Sequence, residues 1–426
     1  MRFTSTLRAQ RGVATLAIVA ILFFIVALVA AYTNRNLIFE QRTAGNQWRS
    51  TLALEAAEGG VEWTLSLLNS GRIQDGCRPS DDPLQPSFRE RFLVVNPAGM
   101  VAPIADRQFA CVSNGEGGWT CDCTADATPA PAAPAGDGIY PAFRGRFTAG
   151  SRPGVVTVQI NGCTRLDDRC LAFPAAAVSN EGRASLEVVL ALRNAVPAAP
   201  AAAVTVRGEL SGVGTLNAYS PDAAAGSLAV LTGGSVTVGS LNVGSAPGSP
   251  ADDSRLVQSS DPVLSGEVPG ADRMFASTFA VWPAAFRDQP GAVRMACEDG
   301  CTGDDVRSAI ALNPGRVVWI TGDVALDGPD DIGSVASPVV IVVDGVPSIE
   351  TDIFGLVYVR QPDPDDLTVP WSAAGTGSIT GALIVEGALD VVGNLTVVHD
   401  HDLLGALRRG TGSFVRVPGG WADFSR

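Results

Sequence analysis

The feature that constrains this chain most is an uncharged apolar run near its N-terminus. Residues 13–33 (VATLAIVAILFFIVALVAAYT) contain no charged side chain. As an α-helix rising about 1.5 Å per residue, this run could cross the roughly 30 Å hydrocarbon core of a bilayer. The residues before it include three arginines and no acid. They predict a single pass through a membrane, with a cytoplasmic N-terminus and everything after residue 33 facing the periplasm or the exterior.

A cleaved secretory signal is the alternative for this run. Val29-Ala30-Ala31 offers small residues for cleavage, but the apolar stretch 13–29 is longer than the roughly 7–15 residues of a signal core. The helical pattern also continues beyond the run. Residues 34–68 contain no Pro, and apolar residues recur there at helical spacing, at Leu54, Ala57, Val61, Leu65 and Leu68. We therefore predict one helix over 13–70, transmembrane at 13–33 and amphipathic at 34–70.

Two motifs in this region resemble the PilX-type minor pilins of type IV pili. Gln10-Arg11-Gly12 before Val13-Ala14 resembles a prepilin leader (residues 1–12), and the stretch from Glu40 to Glu58 resembles the PilX N-terminal region. The resemblance implies that prepilin peptidase cleaves between Gly12 and Val13 and that the new amine is methylated. It also implies that the helix contacts other minor and major pilins once it leaves the membrane for the pilus.

One position departs from the usual pilin pattern. Most pilins carry Glu at the fifth mature residue, where it is thought to pair with the N-terminal amine of a neighbouring subunit, whereas this chain has Ala17. A carboxylate without that partner would be costly in lipid. The absence of Glu therefore favours a subunit without that neighbour, such as one at the tip. The large tip pseudopilin of type II secretion, GspK, shares this absence and is the rival identification.

The rest of the chain predicts an α+β, mostly β protein, because Gly (47) and Pro (28) are abundant among short β-prone segments. We assign 71–195 to a small pilin-like α/β domain with an antiparallel sheet. The Pro/Ala segment 196–203 is predicted to be a linker, and 204–426 a β-solenoid-like domain. An ordinary β-sandwich is the alternative for this last part, but its strands lack Asn-Gly hairpin turns. Strands are predicted at Ser87–Val95, Phe143–Ala149, Val155–Ile160 and Ser185–Arg193 in the first domain.

A helical insertion at about 250–315 interrupts the β-prone segments of the last domain. It carries an apolar stripe of Met274, Phe275, Phe279, Trp282 and Phe286, with a break expected at Pro283. We expect this stripe to cover an open end of the solenoid core. Docking of a partner helix is the alternative. The order of this insertion, Asn313-Pro314-Gly315-Arg316 and the segment 413–418 also resembles the C-terminal region of large PilX-type proteins.

The eight cysteines predict structural disulfides in an oxidising compartment. Cys163 with Cys170, and Cys297 with Cys301, are close in sequence. Because Cys121 and Cys123 are too close to pair easily, the remaining four allow two arrangements: Cys77–Cys121 with Cys111–Cys123, or Cys77–Cys123 with Cys111–Cys121. A zinc site is the alternative, but paired C-x2-C spacing and nearby His residues are missing.

Other polar clusters are weaker candidates for chemistry. His399-Asp400-His401-Asp402 could place both imidazoles on one face of a strand near a metal, although a polar loop end explains it better. Calcium could bind at Asp327–Asp331 or Asp363–Asp366, but neither matches an EF-hand loop. The further acid pairs are interpreted as solvated loops: Asp252-Asp253 and Asp304-Asp305. We expect no resident cofactor and no enzyme activity, since catalytic motifs are lacking.

The net charge of the chain limits the kinds of molecule that it is expected to bind. The net charge is −14, so general binding to nucleic-acid phosphates is not expected. Together these features predict a large minor pilin that acts in type IV pilus assembly at the tip or in the initiation complex, with an exposed domain for display or adhesion. The alternatives are a GspK-like pseudopilin and a membrane-anchored periplasmic adhesin or enzyme.

Overall fold

The computed structural model describes residues 13–96, 100–124, 128–136, 138–150, 152–174, 181–221, 227–247, 254–265, 270–360 and 370–423. The helices are α1 (Val13–Leu68), α2 (Phe88–Phe92), α3 (Asp168–Leu171), α4 (Gly270–Phe279), α5 (Pro283–Arg287), α6 (Gly303–Leu312) and α7 (His401–Gly410).

The strands before the Pro/Ala segment are β1 (Leu93–Val95), β2 (Val101–Pro103), β3 (Gln108–Ser113), β4 (Trp119–Asp122), β5 (Ala142–Ala149), β6 (Val155–Cys163) and β7 (Arg183–Asn194). Those after it are β8 (Ala202–Val206), β9 (Leu210–Tyr219), β10 (Leu228–Thr232), β11 (Val236–Gly244), β12 (Val257–Gln258), β13 (Ala292–Cys301), β14 (Val317–Leu326), β15 (Val339–Asp344), β16 (Pro347–Ile349), β17 (Asp352–Arg360), β18 (Trp371–Ala373), β19 (Ser378–Val385), β20 (Leu389–Val391), β21 (Asn394–His399) and β22 (Gly412–Ala422). The predicted fold class, α+β and mostly β, is confirmed.

The second half of α1 packs on an antiparallel sheet with strand order β22-β7-β6-β5-β3-β4. Alternate residues of β6 and β7 are buried, as expected for strands with one face on a core. That face shares its core with the apolar stripe of α1, including Ala57, Val61 and Leu68. Helix and sheet therefore form the first of two bodies of packed structure.

The last strand departs from the predicted domain boundary. The sequence assigned 412–422 to the C-terminal region with the rest of 204–426, whereas the structure pairs β22 with β7 in the antiparallel sheet. Phe414 lies opposite Leu192, and its ring is buried in the same core as α1. The chain thus returns to its first sheet, because the outer edge of the long strand β7 is available for pairing there.

The C-terminal region is built from parallel strands. One series of parallel pairs runs β13-β14-β15-β17-β19-β8-β10-β12. Val318, Ile341, Val357 and Leu383 lie in the shared interior at 0–1% exposure. Parallel neighbours need a crossover rather than a tight hairpin, which explains why Asn-Gly turns are missing from this part of the sequence.

The helical insertion covers a face of the parallel strands rather than an end of the stack. Phe275, Phe279 and Phe286 are buried against the outward side chains Trp319 and Tyr358. The expectation of an end cap was wrong in this respect. Strands of a parallel sheet are usually buried on both faces, so the outer face needed an apolar cover. The break at Pro283 is confirmed, because α5 begins there.

Two local predictions also need correction. Ser87–Val95 was predicted as one strand, but Ser87 caps the short helix α2 and only 93–95 form a strand. The Ser87 side chain accepts from Glu90 N–H while the Glu90 carboxylate accepts from Ser87 N–H, a capping box that outweighs the β-prone residues. The predicted linker 196–203 contains buried Val196, and its end already belongs to β8.

Candidate functional site: the α1 stem and its junction

Helix α1, which we call the stem, exposes the apolar side chains of its first part to the surroundings. Residues 14–35 and 37–44 are all exposed, including Phe23 at 75% and Tyr32 at 67%. An 18-residue window of this helix has a mean hydropathy of 3.0 and no buried residue. By length and composition, the helix could therefore cross a membrane or pack among other helices. We call residues 14–35 and 37–44 the bare segment.

The second part of the stem lies so close to the sheet that two glycines are required. A Cβ at Gly162 of β6 would overlap the carbonyl oxygen of Ala53 and lie 2.7 Å from the nitrogen of Ala57. A Cβ at Gly60 of α1 would lie 2.8 Å from the ring of Phe143. Helix and strand backbones therefore touch directly, which fixes the position of the stem on the sheet.

A buried arginine joins the end of the stem to the last strand. Arg89 Nη2 donates to the carbonyl oxygens of Leu68 and Gly412, each at 3.0 Å. Its guanidinium also stacks 4.9 Å from the centroid of the Phe414 ring. Burial, and then the nearby positive charge of Arg316, lower the pKa of Arg89 to about 10. The side chain is therefore still cationic at neutral pH and satisfies an otherwise orphaned carbonyl at the helix end.

Two further residues complete this junction. Asn69 Nδ2 donates to the carbonyl of Phe414 at 2.9 Å, and Phe414 N–H donates back to Asn69 Oδ1 at 2.7 Å. The backbone N–H of Arg72 donates to the carbonyl of Leu312 at 2.9 Å. The stem end is thus hydrogen-bonded both to the antiparallel sheet and to the end of α6. We expect movement of the stem to carry both bodies with it.

The sequence of the stem matches a known protein family. Residues 11–62 match the family model for the PilX N-terminal region. The stem carries a PilX N-terminal region. This confirms the resemblance to the PilX N-terminal region, and an apolar helix in such a region fits membrane anchoring and association with a pilus. Cleavage of the leader at residues 1–12 stays a prediction. The match leaves residues 63–426 outside the family model.

Beyond this region, similarity to known proteins is weak. No curated protein matches the chain. Among solved structures, the chain is similar to the competence-associated pilin ComZ from Thermus thermophilus, with 11% sequence identity and a TM-score of 0.22. That similarity covers 88% of this chain and 97% of the other. A TM-score this low does not establish a shared fold.

The processing site predicted next to this region lies at the edge of the described residues. Gly12 falls outside them, and Val13 is the first residue of α1. Ala17, which replaces the usual Glu, is exposed on the bare segment. The helix ends at Leu68, two residues before the predicted end.

All eight cysteines are paired. The structure contains Cys77–Cys123, Cys111–Cys121, Cys163–Cys170 and Cys297–Cys301. Of the two arrangements left open by the sequence, it has the second. The register of β3 and β4 places Cys111 opposite Cys121, so these two residues form a cross-strand pair.

The two histidines do not share a face. His399, at the end of β21, is buried, and its Nε2 lies 3.0 Å from the carbonyl oxygen of Pro200. His401 is exposed in the first turn of α7. Between them, Asp400 caps that helix by accepting from Leu403 N–H at 2.9 Å. The cluster is therefore a strand end followed by a helix cap.

The acidic residues that the structure describes in these segments form hydrogen bonds or ion pairs with nearby protein groups. Asp327 Oδ1 accepts from Gly303 N–H at 2.9 Å, and Asp304 pairs with Arg307. Hydrogen bonds from Thr302 lower the pKa of Asp305, which completes the cap of α6. Asp252-Asp253 and Asp363–Asp366 lie outside the described residues. Among the described residues, no three His, Cys, Asp or Glu side chains are grouped so that they could hold a metal.

A buried charged cluster that the sequence did not indicate joins α4 to the parallel strands. Glu386 is completely buried, and both its carboxylate oxygens lie 3.3 Å from Arg360 Nε. Arg360 also binds Asp272 of α4 at 2.9 Å. Tyr358 OH donates to Glu386 at 2.9 Å. Burial, and then the charge of Glu386, raise the pKa of Tyr358 well above its usual value, so the hydroxyl stays a donor.

Proposed function

We propose that this chain is a large minor pilin that acts in type IV pilus assembly, at the pilus tip or in the initiation complex. The observation that carries the proposal is a PilX N-terminal region on a helix whose first part is bare and whose second part is fixed to a sheet. A bare apolar helix is stable in lipid or among similar helices. We therefore place the chain in the inner membrane before assembly, N-terminus in the cytoplasm, and in the pilus afterwards, in contact with other pilins.

Two features favour the tip over a repeating position. The folded part beyond the stem extends over 71–423 and comprises two packed bodies, which is bulky for a subunit that must repeat along a filament. In addition, Ala17 stands where most pilins have the Glu that pairs with a neighbour's N-terminus. A subunit at the tip has no neighbour above it, so both features are tolerated there.

We further propose that the parallel-stranded region is a β-solenoid-like domain for display or adhesion. Its strands follow one another in parallel register at the roughly 4.8 Å spacing of sheet neighbours, and short strands separated by corners suit stacked coils. We expect no enzymatic activity and no resident cofactor. Calcium binding at Asp363–Asp366, which lies outside the described residues, stays a prediction.

The first test is the mature N-terminus. We expect mass spectrometry to find a chain that starts at methylated Val13, formed by prepilin peptidase. Gly12→Val should abolish this processing, because the cleavage site then lacks its Gly. Gly45→Val is the matched control: a Cβ at Gly45 meets nothing within 4 Å, so processing should continue. A chain that starts near Ala31, or retains Met1 in the wild type, would contradict the pilin assignment.

The second test is the position of the protein on the filament. Immunogold labelling of a tag after residue 426 should mark filament ends, with no more than one cluster per pilus. Even labelling along the filament would contradict the tip assignment while leaving the chain a pilin. Normal pilus number with lost attachment in a deletion strain would support adhesion as the role of the displayed domain.

A second candidate, a GspK-like pseudopilin of type II secretion, is favoured by the same Ala17. The two functions separate in a deletion strain. Loss of surface pili with intact protein secretion supports the type IV pilus, and the reverse result supports the pseudopilus.

A further inference from the structure

The parallel-stranded region has a second outward face, on which parts of five strands pair in continuous register. The strands follow the order β17, β19, β21, β9 and β11. Their inward residues lie in the shared core: Ile353, Ile379, Val397, Ala218 and Val243. The residues on either side of these therefore point outward. Helices α4, α5 and α7 cover a different face, around Trp319 and Tyr358. We call this second face the five-strand face.

Short polar side chains are aligned across the five-strand face. The register places five of them in one column: Asp352, Ser378, Thr396, Asn217 and Asn242. A shorter column lies two residues earlier on three of the strands: Asn394, Thr215 and Ser240. Asp352, at the end of its column, is the one charged member. These polar columns therefore present neutral hydrogen-bonding groups at the roughly 4.8 Å spacing of neighbouring strands.

Hydrogen bonds within the polar columns fix the orientation of their amides. Asn242 Nδ2 donates to Asn217 Oδ1 at 2.8 Å, and Asn217 Nδ2 donates to Asn394 Oδ1 at 2.9 Å and to Thr396 Oγ1 at 3.1 Å. Within the part of the chain that the structure describes, the Asn394 amide nitrogen donates to no protein group, and the hydroxyls of Thr215 and Ser240 have no protein partner. Each of these groups can still donate a hydrogen bond, so the columns keep donors available to a ligand.

A column with two aromatic rings runs beside the polar columns. It lies two residues further along each strand and consists of Phe354, Thr380, Val398 and Tyr219. All four side chains are partly exposed. The two aromatic residues are three strand spacings apart, about 14 Å. The face of an aromatic ring carries negative charge density and attracts weakly positive C–H groups. An apolar strip with a ring at each end therefore borders the polar columns.

This combination matches the chemistry of a sugar chain. A pyranose ring has apolar C–H groups on its faces and hydroxyls around its edge, and β-1,4 linkage keeps a glucan extended and flat. A polyanion is disfavoured, because the net charge of the chain is −14 and the face has no cationic column. We propose that the five-strand face binds an unsubstituted β-1,4-linked glucan that runs across the strands, with its rings against Phe354 and Tyr219 and its hydroxyls against the polar columns. The inference rests on the proposed role of this domain in display or adhesion and names the surface it attaches to.

Isothermal titration of the detergent-solubilised full-length chain with cellohexaose tests this site. Thr396→Arg places a long cation in the middle of the face and should weaken binding about tenfold or more, a loss of roughly 1.4 kcal/mol. Ser372→Arg is the matched control. Ser372 is also exposed and outward-facing, but it lies on β18, which pairs with β20 outside the five-strand face. Its substitution should leave the affinity unchanged, and unfolding curves equal to that of the wild type show that both variants fold.

A second pair of variants tests the aromatic contact. Tyr219→Ala removes the ring and should also weaken binding about tenfold, whereas Tyr219→Phe keeps the ring and should bind as the wild type does. Equal loss in both variants would overturn the stacking of a sugar on Tyr219.

The outcomes separate this site from the pilin function. Lack of cellohexaose binding by the wild type, or equal weakening by Thr396→Arg and Ser372→Arg, would overturn the site. Binding of maltohexaose, whose α-linked chain is coiled, as tight as that of cellohexaose would overturn an extended β-1,4 glucan as the ligand. Cellohexaose binding by a chain that is absent from sheared pili would support the site and contradict the proposed pilin function.

Discussion

Arg360→Met is expected to lower the free energy of unfolding by about 3 kcal/mol. Arg360 binds completely buried Glu386 and also reaches Asp272 of α4, so the substitution removes a cationic partner from both. Removing one member of a buried ion pair usually costs about 3–5 kcal/mol. Tyr358 still donates to Glu386 in the variant, which is why we expect the lower end of that range.

Chemical denaturation of the detergent-solubilised chain, followed by tryptophan fluorescence, measures this effect. Trp319 is a local probe, because the Arg360 guanidinium lies 5.7 Å from its ring centroid. Arg287→Met is the matched control: Arg287 pairs with Asp288 at the surface, and its loss should change the free energy of unfolding by less than about 0.5 kcal/mol. Equal effects of the two substitutions would show that the buried cluster does not hold α4 to the parallel strands.

The stem could be predicted from the sequence because its signals are local and periodic. The apolar run, the absence of Pro and the helical stripe each act within a few turns, and together they predict α1 to within two residues of its end. Strands β5 to β7 were also predicted close to their observed bounds, since one face of each is buried. Residues 87–92 were not, because two hydrogen bonds of a capping box decided between helix and strand.

The junction at Arg89 could not be predicted, because its partners come from distant parts of the sequence. Arg89 binds the carbonyl oxygen of Gly412, and Asn69 binds Phe414 across 345 residues. Every residue has a backbone carbonyl, so residue types do not reveal which carbonyl accepts a hydrogen bond. A lone Arg or Asn in a sequence usually indicates a solvated surface. Both contacts form because β22 pairs with β7 in the first sheet, which brings Gly412 and Phe414 to the end of the stem.

The disulfides show how much of the cysteine pairing can be predicted from sequence spacing. Proximity along the chain predicts Cys163–Cys170 and Cys297–Cys301, since short loops keep the two sulfurs near each other. For the other four cysteines, the choice depends on the register between β3 and β4, which places Cys111 opposite Cys121. Spacing alone does not determine register, so both arrangements were equally compatible with the sequence. The buried Glu386 was missed for a related reason: its partner Arg360 lies on a neighbouring parallel strand.

The substitution Gly162→Val, at the contact between stem and sheet, is also expected to lower the free energy of unfolding strongly. The valine side chain would overlap the backbone of α1 at Ala53 and Ala57, and neither a strand nor a helix backbone can move locally to make room. Because overpacking in a core already costs about 1–3 kcal/mol, we expect a loss of at least about 3 kcal/mol here. The stem should then separate from the sheet while the parallel strands stay folded.

Hydrogen exchange of the detergent-solubilised chain measures this separation directly. Amides of residues 53–64 should exchange at least tenfold faster in Gly162→Val than in the wild type, while those of β15 and β17 keep their protection. Gly45→Val, also a glycine-to-valine change but in open space, should leave exchange at 53–64 unchanged. Unaltered protection of 53–64 in Gly162→Val would mean that the stem is held mainly by the Arg89 and Asn69 junction.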